Sequence, residues 1–124
     1  MNYAPNNLRP VQINFELYID SRDAKFKLEL VQLMISNVGE LKETSRQAWT
    51  NRDIAFYNSS THKTKSTATL LDDPEFNNAI EEVRNQLSSN SEAPQDHVLN
   101  HLHAICDSII TSLEHEAALL RAQN

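Results

Sequence analysis

A single glycine, Gly39, serves a chain of 124 residues. Two-residue hairpin turns and phosphate-cradling loops use glycine wherever the backbone must take a positive φ or come close to a ligand. This scarcity argues against sandwiches, barrels, P-loop folds and dinucleotide-binding folds, and leaves a helical bundle. At ~100 to 200 residues per domain the length fits one domain. The hydrophobic share of 40% is enough to fill one core.

Apolar spacing locates the helices. From about Asp23 to Trp49, the residues Val31, Met34, Ile35, Val38, Leu41, Ser45, Ala48 and Trp49 recur at three and four. Gly39 falls inside this helix, where it costs ~1 kcal/mol relative to alanine and invites a bend or a close helix contact. Asn51 and Asp53 are candidate N-caps for a second helix running to about Leu71. The run Asp72-Asp73-Pro74-Glu75 predicts the next start, with a capping carboxylate, proline in the first turn and Glu75 three residues after Asp72. That third helix is predicted to bury Phe76, Ala79, Ile80, Val83 and Leu87 and to end in the polar Ser88-Ser89-Asn90-Ser91. A fourth, from about Pro94 to Arg121, carries Val98, Leu102, Ile105, Ile109, Leu113 and Leu120 at helical spacing. The expected fold is all-α, an antiparallel four-helix bundle over residues 23–124. In residues 1–22, Val11, Ile13, Phe15, Leu17 and Ile19 alternate as in a strand. No partner strand exists for them, so they are expected to form an extended or partly helical arm on the bundle.

No segment approaches the ~18 consecutive apolar residues of a membrane span, and Met1 to Pro10 lacks a basic-then-apolar leader, so a cytoplasmic location is expected. Cys106, the only cysteine, lies in an apolar helical run and reads as a buried thiol. The net charge of -6 is uneven: residues 1–71 hold nine Lys/Arg against seven Asp/Glu, and residues 72–124 hold two against ten. Such a chain is a poor nucleic-acid binder. A local basic patch remains in Lys42, Arg46, Arg52, Lys63 and Lys65, set against Glu43 and Asp53.

The second helix departs from plain scaffold around Thr61-His62-Lys63-Thr64-Lys65-Ser66. At ~100° per residue, Ile54, Tyr57, Thr61, Thr64, Ala68 and Leu71 form the stripe expected to meet the core, and His62 projects toward water. Asn58, Ser59, Ser66 and Thr69 border the imidazole on the same surface, and Lys65 sits three residues on. A neutral imidazole nitrogen is nucleophilic near pH 7 and forms a phosphoramidate labile enough to pass its phosphoryl group on. Phosphoryl transfer depends mainly on positioning and charge neutralisation, so small neighbours and a nearby cation suit it.

At these residues the chain resembles the histidine-containing phosphotransfer (HPt) domains of two-component phosphorelays. The family motif, His-x-x-Lys followed by glycine or serine on the second helix, is matched by His62-Lys63-Thr64-Lys65-Ser66. Upstream, a long helix and Asn51-Arg52-Asp53, nine residues before the histidine, are similar to the family's spacing. The resemblance covers about residues 15–120 and implies that His62 is the phosphoacceptor, Lys65 the cation that neutralises phosphate charge, and Ser66 the small residue that permits docking. It implies a phosphocarrier rather than an enzyme with its own turnover. His62 would accept a phosphoryl group from a receiver aspartyl-phosphate and pass it to another receiver, downstream of a hybrid sensor histidine kinase. The receiver would supply Mg2+, and the chain would need no cofactor of its own. The expected partner-facing residues are Asn58, Ser59, Lys63, Ser66 and Thr69, with Lys63 read first as a solubility charge. A monomer is expected, without nucleic-acid or membrane partners. The alternative is a degenerate HPt-like bundle that binds receivers as a non-catalytic adaptor.

Other candidates are weaker. His97 and His101 are four apart on the fourth helix and could ligate zinc with Asp96 or His103, but they lack a HExxH pattern or a third convergent ligand. No metal site is therefore expected. His115 between Glu114 and Glu116 reads as a solvated face, as do Arg46 and Arg52. Trp49, Phe76 and Met34 read as core. Ser-His-Asp catalysis has no nucleophile elbow to support it. A kinase dimerisation motif would follow the histidine with an acidic residue, where Lys63 stands.

Overall fold

The computed structural model describes residues 23–89 and 95–123, and all regular structure among them is helical. Four helices follow in order: α1 (Ala24–Asn51), α2 (Ile54–Leu71), α3 (Pro74–Ser88) and α4 (Asp96–Gln123). The arm expected over residues 1–22, and the start expected at Pro94, lie outside the described residues. Each helix packs chiefly on two others, α1 on α2 and α4, and α3 on α2 and α4, so the four close into a bundle.

Aspartate starts three of these helices in the same way. Asp23 accepts from Phe26 N at 3.1 Å, Asp53 from Phe56 N at 2.9 Å, and Asp73 from Glu75 N at 3.0 Å and Phe76 N at 3.1 Å. Each carboxylate satisfies an orphan donor and faces the positive end of the helix dipole. The start of α3 is therefore Asp73 with Pro74 as its first helical residue, and Asp72 instead closes α2. Asn51 likewise is the last residue of α1 rather than a cap of α2.

The two joints Arg52-Asp53 and Asp72-Asp73 repeat one device. Arg52 (φ 52°) and Asp72 (φ 47°) take the left-handed conformation that ends a helix, and the following aspartate is extended. Glycine normally fills such C-terminal positions, and a side chain there costs ~1–2 kcal/mol. Arg52 offsets this by stacking its guanidinium 4.7 Å from the Trp49 ring centroid and donating to Gln86 O at 3.2 Å. Gly39, by contrast, spends the chain's one glycine mid-helix. Nothing lies within 4 Å of a Cβ built there, so it marks no close helix approach.

The core forms where the apolar spacing placed it. Met34, Val38, Leu41, Tyr57, Phe76, Leu102, Ile109 and Leu113 are fully buried. All five apolar positions predicted for α3, and all six for α4, are buried, whereas Ile35 on α1 is half-buried. A polar seam joins α1 to α4: Lys42 Nζ meets Asp107 Oδ1 at 2.7 Å, Ser45 Oγ meets His103 Nε2 at 3.2 Å, and Trp49 Nε1 donates to Asp96 Oδ1 at 3.0 Å. As residue numbers rise along α1, those of the α4 partners fall.

The stripe that α2 buries is rotated from the expected one. Tyr57, Ser60, Thr64, Thr67, Leu70 and Leu71 are buried, while Ile54, Thr61 and Ala68 sit half-buried at the edge. Small hydroxyl residues tolerate this because Ser60 donates to Phe56 O at 3.0 Å and Thr64 to Ser60 O at 3.1 Å, which leaves neither hydroxyl unsatisfied. Thr67 accepts from Asn37 Nδ2 at 3.0 Å, tying α2 to α1. Among the described residues no helix is long and apolar enough to cross a membrane.

Candidate functional site

α2 lies between α1 and α3 and turns its remaining face to water. His62 is exposed on that face, together with Asn58, Ser59, Lys63, Lys65, Ser66 and Thr69. Their short or hydrated side chains leave the imidazole unobstructed.

A groove of about 530 Å³ runs along the α2–α3 boundary, and His62 forms part of its wall. Asn58, Thr61, Thr64, Lys65 and Ala68 line it from α2, and Asn77, Ile80, Glu81 and Arg84 from α3. The structure thus gathers Asn58, His62 and Lys65 at one groove. Ser59, Lys63, Ser66 and Thr69 remain on the open surface beside it and do not line it.

Two interactions from α3 hold this part of α2 in place. The Tyr57 hydroxyl, buried one turn before Thr61, donates to Ile80 O at 2.7 Å. Burial pushes the Tyr57 phenol well above its ordinary pKa, so it stays a neutral donor. Arg84 reaches from α3 with Nε on Asn58 Oδ1 at 2.9 Å and Nη2 on Thr61 Oγ1 at 2.7 Å. Its Nη1 pairs with Glu81, and its guanidinium lies 5.5 Å from the Tyr57 ring centroid. Arg84 was not singled out from the sequence. Its one sequence signal is that it is one of only two cations after residue 71, and nothing in the helix pattern of α3 points across to α2.

The basic patch is divided in the fold. Lys42 is paired with Asp107, Arg46 with Glu43, and Arg52 is stacked on Trp49. Arg52 is exposed, as expected of a solvated face, and also serves as the stop of α1. Among the described residues, Lys63 and Lys65 have no carboxylate within ion-pair distance, so the two lysines of the patch on the His62 face keep their charge unpaired.

The remaining candidates separate from this site. His97, His101 and His115 are exposed, and Asp96 is engaged by the Trp49 indole. Among the described residues no cluster of three or more His, Cys, Asp or Glu could hold a metal ion. His103 is half-buried against Ser45; burial first, then the Lys42 and Arg46 charges, lower its pKa against the opposing pull of Asp107 and a backbone contact to Lys42. Cys106 is buried, and its thiol is pushed up to about 12 by desolvation, with Asp107 adding to the effect.

Compared with known proteins, the chain matches no family model, no curated protein and no solved structure.

Proposed function

We propose that this chain is a phosphocarrier of the HPt type, an antiparallel bundle that takes a phosphoryl group on His62 from a receiver aspartyl-phosphate and returns it to the aspartate of another receiver. The observation that carries this reading is the exposed imidazole of His62 on a braced helix, with Lys65 beside it in one groove and small neighbours around it. The descending order of α4 partners along α1 supports the antiparallel arrangement.

In the forward step an imidazole nitrogen lone pair attacks phosphorus, the P–N bond forms, and the aspartyl P–O bond breaks to release a carboxylate. Nothing is oxidised or reduced. Lys65 offsets negative charge on the equatorial oxygens, and the receiver supplies Mg2+. Delivery to the second receiver reverses the step. Lys63 and Lys65 give the docking face the sign that suits an acidic receiver pocket, while Asn58, Ser59, Ser66 and Thr69 allow its close approach. A hybrid sensor histidine kinase is the expected source of the phosphoryl group.

The test is transfer from a 32P-labelled receiver to wild type and to His62→Gln. Acid-labile label is expected on the wild type and none on the variant. Receiver binding without any label on the wild type would instead establish a non-catalytic adaptor.

A further inference from the structure

Besides Lys65, the groove beside His62 contains a second cation, Arg84, contributed by α3. Its guanidinium is held by Asn58, Thr61 and Glu81 and packs on Tyr57. A guanidinium carries five N–H bonds. These contacts use one on each nitrogen, and the two left over sit on the terminal nitrogens with no protein partner among the described residues. The side chain is 27% exposed, so it is neither sealed in the core nor free in solvent.

Such an arginine is pre-organised. Its orientation is already fixed by the groove walls, so less conformational freedom is lost when it grips an oxyanion than for a freely rotating lysine. Arg84 and His62 line the same groove, and Asn58, one of the residues that hold the guanidinium, lies one helical turn before His62 on α2. The groove's charged groups are Lys65, Arg84 and Glu81, and Glu81 is already paired to Arg84. A net positive charge therefore faces the groove, and Asn77 adds an amide donor from α3.

We propose that Arg84 and Lys65 form a two-cation oxyanion site in the α2–α3 groove, where Arg84 positions a tetrahedral dianion such as the phosphoryl group carried by His62. This rests on the phosphocarrier reading and extends it: the site is built by two helices, and the second is recognised by Arg84. Arg84 forms no covalent bond and acts as a positioning residue.

The experiment uses inorganic phosphate as probe and the full-length chain, followed by 1H–15N NMR at low salt. Saturable shifts are expected at the His62 ring, the Lys65 amide and the Arg84 Nη–H groups. Arg84→Gln is expected to weaken phosphate affinity about threefold to fivefold, and Arg84→Lys, which keeps the charge but loses the anchored fork, by about twofold to threefold. The wild-type Arg84 Nη–H resonances report without any substitution: if they stay stationary while phosphate saturates, the site is overturned. Wild-type affinity in a folded Arg84→Gln variant overturns it equally. Because free phosphate needs no receiver, failed phosphotransfer with intact phosphate binding removes the proposed function and leaves the oxyanion site. Phosphotransfer with no Arg84 response removes the site alone.

Discussion

Arg84 Nη2 donates a 2.7 Å hydrogen bond to the hydroxyl of Thr61, the residue immediately before His62. The same hydroxyl donates to Asn58 O at 3.1 Å, so α3 is tied to the turn of α2 that carries the imidazole. The helical turn that carries the exposed imidazole is thereby braced by a neighbouring helix, which suits presentation of the group to a partner.

Lys65→Ala is expected to slow phosphotransfer about tenfold or more, because the α2 cation that lines the groove with His62 no longer offsets charge on the transferring group. Lys65 is exposed and has no ion-pair partner among the described residues, so stability should stay within ~0.5 kcal/mol. Single-turnover rates together with a urea melt separate the two effects. An unchanged rate would remove Lys65 from the mechanism.

Gly39→Ala is expected to stabilise the protein by ~1 kcal/mol, since helical backbone and open space at the Cβ position leave only the propensity difference. Urea denaturation measures it. Loss of stability would mean that Gly39 is required by a contact the described residues do not show.

Stability should fall as pH drops below about 6.5, the ordinary histidine value, through the His103 transition. The folded state holds His103 below that value through burial beside Ser45 and the Lys42 and Arg46 charges, which outweigh Asp107. The unfolded chain therefore binds the proton first as pH falls, and the loss levels off once the folded pKa is passed. His103→Gln should flatten this part of the pH–stability curve. An unaltered slope would assign the effect to other groups.

The helices were legible because each rests on a local signal. Asp53 caps the Phe56 amide as the sequence suggests, the aspartate-proline start of α3 is displaced by only one residue from Asp72 to Asp73, and the core of α3 and α4 follows apolar spacing alone. The rotation of α2 was not legible. Its buried face includes Ser60, Thr64 and Thr67, and hydroxyls that bond back to their own helix or to Asn37 carry no hydropathy contrast with the exposed Ser59, Ser66 and Thr69. His62 and Lys65 could be placed on one face from helical spacing, but the groove between α2 and α3 could not. Its wall depends on Arg84 meeting residues 23 and 26 positions earlier, a pairing set by the packing of α3 on α2. Partition of the basic patch follows the same rule, since Lys42 finds its carboxylate 65 residues away.

The most direct measurement is transfer of 32P from a phosphorylated receiver domain to the wild-type chain and to His62→Gln under the same conditions. Acid-labile, alkali-stable label is expected on the wild type, none on His62→Gln, and passage of the label to a second receiver. Equal labelling of the two proteins, or no label on the wild type with any receiver of its own cell, would contradict the phosphocarrier reading.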